Sequence, residues 1–189
     1  MRIALAVLLS AAAVSGILAD VPRPNSPRVF VSAYNECYAK SVPSDAYDDR
    51  GTTSIYRVDA GRDRLIDTYD WYAQQLYVRC LLPSPCPNTV SVIRFGPWPL
   101  GHEATATDLA VALYLDGRLL RSYSTLDIAG TPKNVRPSSN HYEVFEAVEG
   151  YAWDAGQELF RVHTVDGRVL SFSTETGRLV SSAVDGSKK

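Results

Sequence analysis

Serine, aspartate and histidine gather around one stretch of this chain, "STLDIAGTPKNVRPSSNHY" at 124–142. Ser124 and Asp127 open it and His141 stands near its end. A serine hydroxyl becomes a nucleophile when a histidine takes its proton and a carboxylate holds that histidine in place. Ser124, Asp127 and His141 are therefore the catalytic candidates, and a hydrolase is the reaction class they imply. Against that reading, no G-x-S-x-G elbow surrounds any serine. Ser124 also sits where two related segments carry Asp70 and Ser173, which suits a polar residue on a strand face.

A second group lies upstream, in "GPWPLGHE" at 96–103. Prolines restrict the backbone on both sides of Trp98; its ring either plugs one end of the sandwich, the more ordinary role of a tryptophan, or is presented for stacking on a sugar or another proline. Trp98, His102, Glu103, His141 and Tyr142 are the ligand-binding candidates. No metal is expected on them: adjacent residues of an extended segment point to opposite faces, and no recognised ligand spacing is present. The acidic run Asp45, Asp48 and Asp49 lacks the alternating acids of an EF-hand loop and reads as a solvated turn. No cofactor is implied. Tyr69, Trp71, Gln75 and Tyr77 share parity, and a core face is the ordinary reading of such a stripe.

The elements that must position these residues are hairpins. "DGRLLRSYST" at 116–125 is echoed by "DGRVLSFST" at 166–174, and more loosely by "RLIDTYDW" at 64–71. Asp-Gly between two apolar runs is the strongest short hairpin signal, because a type I′ turn needs positive φ at both central residues. The 166–174 copy lacks one residue after Arg-x-Leu, so a β-bulge is expected near Arg121 in the longer copy. His163, three places before its turn as Leu113 is before the other, takes a packing position on that register. Further strand-like text at 28–42, 89–95 and 141–148, with turn residues at short intervals and no convincing helix, gives an all-β fold. The expected architecture is an antiparallel sandwich or partly closed barrel of repeated hairpins, with partial propeller-like blades as the alternative. Residues 126–140 form the longest stretch without regular structure, and loops of that length inside a domain are usually functional.

The N-terminal "MRIALAVLLSAAAVSGILA" has one arginine, a short apolar run and small residues before Ala19, the layout of a signal peptide. We therefore expect residues 1–19 to be a leader and 20–189 a single all-β domain, exported to a periplasm or secreted, with no membrane insertion after cleavage. Losing Arg2 takes the net charge from −2 to −3, and no basic face is evident to bind nucleic acid. In such a compartment thiols pair. Cys37, Cys80 and Cys86 are the disulfide candidates: Cys80 with Cys86 across a short loop, or Cys37 with Cys80 between strands. The functional expectation is a soluble binding protein contacting a protein, a peptide or an envelope glycan through loops 96–103 and 126–142. The alternatives are the hydrolase above and an assembly module pairing through open sheet edges.

Overall fold

The computed structural model describes residues 24–80 and 89–184. Residues 1–19, expected to be a leader, and Cys86 lie outside the described residues. Three antiparallel meanders of four consecutive strands make up the fold. The first sheet holds β1 (Arg28–Val31), β2 (Cys37–Pro43), β3 (Arg50–Arg57) and β4 (Arg64–Trp71). The middle sheet holds β5 (Leu76–Cys80), β6 (Val90–Phe95), β7 (Leu109–Leu115) and β8 (Arg118–Ser124). A one-turn helix α1 (Thr125–Ala129) and a two-residue ladder of β9 (Arg136–Pro137) and β10 (Tyr142–Glu143) follow. The third sheet holds β11 (Phe145–Asp154), β12 (Gln157–Thr164), β13 (Arg168–Ser173) and β14 (Leu179–Val184). The all-β, hairpin-built class read from the sequence is what the chain adopts, and no sheet among the described residues closes into a barrel.

The sheets stack face to face, and β6 shows why. Every residue of "VSVIRF" is buried, as expected of a strand covered on both faces. Val90 and Val92 join Cys37, Ala39, Ile55, Tyr69 and Trp71 in a core between the first and middle sheets. Ile93 and Phe95 join Phe160, Val162, Leu170 and Phe172 in a second core between the middle and third sheets. Tyr69 and Trp71 are thus core residues, with the Arg94 guanidinium lying 4.7 Å over the Trp71 ring. Arg94 also pairs with Asp49, while Arg50 pairs with Asp45 and Asp48. The acidic run is neutralised by arginines. A disulfide joins Cys37 on β2 to Cys80 on β5, with Cα atoms 6.1 Å apart, and fastens the first sheet to the middle one.

The repeated phrase meets the structure in two ways. In β8, Leu113 pairs with Arg121 and Tyr114 with Leu119, which leaves Leu120 as the extra residue of a bulge beside the expected position. The first copy bulges at the matching residue, Ile66. The 166–174 copy runs without a shift from His163↔Val169 to Leu159↔Ser173, as its missing residue requires. Yet the bulged outer strand of the third sheet is β14, where "GRLV" at 177–180 leaves Val180 unpaired between Ser181 and Leu179. These bulges are joints. Turn residue Gly117 of the middle sheet seats against Asp67 beyond the Ile66 bulge, and Gly177 of the third sheet against Leu120 and Arg121. A Cβ at either glycine would come within about 3 Å of the strand it rests on.

Three expectations need correction. Asp116 and Gly117 both have positive φ, but in the later turn only Gly167 does, and its amide bonds back to Thr164 O at 3.0 Å. His163 does not share Leu113's buried place. It lies half-exposed on the outer face of the third sheet, 3.7 Å from Glu149, because the third sheet ends the stack among the described residues. Residues 126–140 are not structureless. Ser124 caps α1 through a capping box with Asp127, and Gly130 ends the helix at φ 75°, a left-handed position that suits glycine.

Asp166 fastens this helical segment to the third sheet. Its carboxylate accepts from Thr164 Oγ1, from Arg168 Nε at 2.7 Å and from Asn134 Nδ2 at 2.6 Å, and Arg168 reaches the Ile128 carbonyl at 2.6 Å. Burial alone would raise its pKa, but those hydrogen bonds more than offset burial and hold the carboxyl below the usual aspartate range. A carboxyl depressed on folding contributes stability that is complete above its unfolded pKa, about 3.9, and is lost as pH falls through the folded value. Thermal melts should accordingly show wild type above Asp166→Asn at neutral pH, with the gap closing below about pH 4. A gap independent of pH would contradict the clamp.

Candidate functional site

The tryptophan loop and the segment before β10 are laced together. Leu100 forms an antiparallel bridge with His141. Tyr142 N donates to Pro99 O at 3.3 Å and Gly101 N to Asn140 O at 2.8 Å. The His102 Nε2 atom lies 3.1 Å from Ser139 O. The loop leaves β6 through Gly96, whose amide bonds Ala110 O at 3.1 Å. A Cβ there would fall 1.8 Å from Leu109 O, so the close approach of loop and β7 requires glycine.

This lacing fixes Trp98. Its ring stacks on that of His141, with centroids 5.0 Å apart and planes 19° apart. His141 is buried, whereas Trp98 remains 45% exposed. One face of the indole is backed and the rest is presented, with prolines on either side limiting backbone freedom. Trp98 forms one lip of a cleft of about 310 Å³ between the middle and third sheets. Phe95, Tyr142 and Phe145 contribute aromatic walls, and Gln74, Gln75 and Glu143 contribute polar groups.

Below the cleft Tyr142 is anchored. Its hydroxyl donates to Asp108 Oδ2 at 2.7 Å and lies 2.8 Å from Thr125 Oγ1. Burial pushes this phenol above its usual range; Thr125 opposes the shift and Asp108 adds to it. A phenol so placed stays protonated and acts as a fastener of the wall, not as a proton acceptor. Thr125 in turn bonds both the amide and the carbonyl of Thr105, which ties the start of α1 to the loop before β7.

Of the binding candidates, Trp98 and Tyr142 line the cleft and His141 supports Trp98 from behind. His102 and Glu103 are exposed on the same loop and do not line it. Of the catalytic candidates, Ser124 Oγ donates to Asp127 Oδ2 at 2.8 Å and accepts from Asp127 N at 3.1 Å. Asp127 also takes the Ser124 amide at 2.8 Å. In a triad the carboxylate would orient the histidine; here it closes a helix cap with the serine. Among the described residues, no three His, Cys, Asp or Glu side chains are grouped to hold a metal ion. Phe95, Phe145 and Gln74 belong to the cleft without having been singled out in sequence, and Gln75, expected on a core face with Tyr69 and Trp71, is instead exposed along its rim. Nothing local marks these as cleft residues, since only the stacking of the sheets brings positions so far apart together.

The chain matches no protein-family model and no curated protein. Among solved structures it is similar to one described as the crystal structure of the Saccharomyces cerevisiae Sqt1, at 13% identity and a TM-score of 0.32. The match covers 83% of this chain and 51% of that one, so the chain spans about half the length of that protein. A likeness of that size carries no information on function.

Proposed function

We propose that this is an exported binding protein whose cleft at Trp98 takes an apolar or aromatic side chain of a partner polypeptide. The observation that carries the reading is the half-exposed Trp98 indole, held by buried His141 at the lip of an aromatic cleft. A tryptophan already locked in place loses little freedom on binding, and such anchors dominate interface energetics. The volume is at the small end of ligand sites and suits one anchoring side chain with its neighbours along the rim. The Gln74, Gln75 and Glu143 side chains supply the few polar groups that set orientation. The disulfide between buried Cys37 and Cys80 supports export, since such bonds persist in oxidising compartments. The hydrolase reading has less to support it, because Ser124 and Asp127 are engaged in the α1 cap.

Panning random displayed peptides on the protein tests the proposal. Enriched peptides should bind the wild type and lose at least about 30-fold in affinity on Trp98→Ala, the loss expected for a hot-spot truncation. Trp153→Ala, which removes the 71%-exposed tryptophan of β11, should leave them bound. Peptides that bind Trp98→Ala as well as wild type would sink the proposal. Enrichment of none, with envelope glycans bound instead, would replace the polypeptide with a sugar.

A further inference from the structure

The stack of sheets has two terminal faces, and they differ in chemistry. On the third sheet, the free face carries Arg161, 2.7 Å from Asp154 and 3.5 Å from Glu149, with His163 also beside Glu149. That is the polar outer face by which a stacked array is capped. The first sheet has no such cap among the described residues. One row on its outer face runs straight across all four strands: Val31 opposite Tyr38, Tyr38 opposite Tyr56, Tyr56 opposite Leu65. The two tyrosine rings stack at 5.1 Å, and the Tyr38 hydroxyl is held by Asp63 at 2.9 Å. Val31 is 57% and Leu65 54% exposed. The row holds no charged residue, and Lys40 stands in the next row beside exposed Val29.

We propose that this face is the interface of a two-fold homodimer, in which the outer face of the first sheet packs on its own copy. Charge chooses the partner. Head-to-tail stacking would lay the valine and tyrosine row on Arg161, Glu149 and Asp154 and strip water from charges without supplying partners. Self-pairing lays the uncharged row on an uncharged row, as a two-fold axis allows, and the Asp63 carboxylate that touches the row keeps its bond from the Tyr38 hydroxyl. The long stem of Lys40 lets its ammonium reach the rim. The sheet also already packs by its other face in this same manner, against the middle sheet. Four strands about 4.8 Å apart, each of some six residues at about 3.3 Å, give a footprint on the order of 400 Å². That is below the roughly 800 Å² per partner of a standard interface, so the dimer forms and dissociates with concentration.

Sedimentation velocity of the purified protein, from low to high micromolar, tests this independently of the Trp98 cleft. The weight-average sedimentation coefficient should climb with concentration from the monomer value toward that of a dimer. Val31→Lys and, separately, Leu65→Glu should hold it at the monomer value throughout. Both side chains are exposed, so melting temperatures should match wild type, and the two variants check each other should one melt early. Arg161→Ala, on the opposite terminal face, should associate as wild type does. A wild type that stays monomeric at every concentration, association that survives both substitutions, or association lost on Arg161→Ala would each overturn the proposal.

Discussion

Replacing Cys37 and Cys80 together by alanine is expected to lower folding stability by about 4 kcal/mol. The bond joins residues 43 apart, and the loop-closure entropy it removes from the unfolded chain has that magnitude at room temperature. For a domain of this size each kcal/mol moves the melting temperature by about 2–4 °C, so the variant should melt some 8–16 °C lower. The location adds a structural consequence. Cys37 lies on β2 and Cys80 on β5, so the bond crosses the core where the first sheet meets the middle one. Both side chains are buried, so mild reductant should leave the folded protein intact and act only as it unfolds. Thermal melts of the double variant, with thiol alkylation and mass measurement on wild type, check both statements. An unchanged melting temperature would mean that packing alone secures the joint.

The joint between the middle and third sheets depends on a buried charge. Glu158 on β12, with only 6% of its side chain exposed, lies 2.8 Å from Arg79 Nη1 on β5. Thr174 Oγ1 donates to its other oxygen at 3.1 Å. The Arg79 guanidinium also lies 5.6 Å over the Tyr151 ring, whose hydroxyl reaches Ser91 O at 3.1 Å. Burial pushes the Tyr151 phenol well above its usual range, with Ser91 opposing that shift, so it remains a neutral donor. Glu158→Ala leaves a mostly buried guanidinium without a counter-charge. Breaking such a pair from one side costs about 3–5 kcal/mol, and the partial exposure of Arg79 places the loss near the lower figure. Replacing both partners by leucine or methionine of similar volume should recover most of it. A double-mutant cycle by denaturant unfolding reads the coupling directly. Additive losses would show that the two side chains act separately.

Much of the construction was legible from residue patterns. Asp116-Gly117 announced a type I′ turn, and the one-residue difference between two phrases announced a bulge near Arg121, found one residue earlier at Leu120, because strand periodicity makes a single insertion visible. Where matching letters misled, neighbours in space were the reason. "DGRVLSFST" reads like "DGRLLRSYST", yet it forms the inner hairpin β12–β13, while "GRLV" before β14 takes the bulged outer place. His163 inherits Leu113's spacing without its burial, since Leu113 has a further sheet above it. The one-turn helix escaped because a five-residue element shows no periodicity. Its signature was nonetheless present as Ser124, Asp127 and Gly130, a capping box and a left-handed terminator.

The candidate site divides along the same line. Prolines around Trp98 and the return of the chain at His141 marked two segments that do meet. The walls from Phe95 and Phe145 and the rim from Gln74 and Gln75 come from stacking, which no local pattern encodes.

The central claim, that the Trp98 cleft is where this protein binds, is tested most directly by amide and indole chemical-shift mapping. An enriched peptide titrated into isotope-labelled protein should move the Trp98 indole N–H and the amides of Gln75, Phe95, Glu143 and Phe145. The amides of β1 and β2, on the far side of the middle sheet, should stay in place. Shifts confined to other surfaces, with the Trp98 indole unmoved at saturation, would contradict the account.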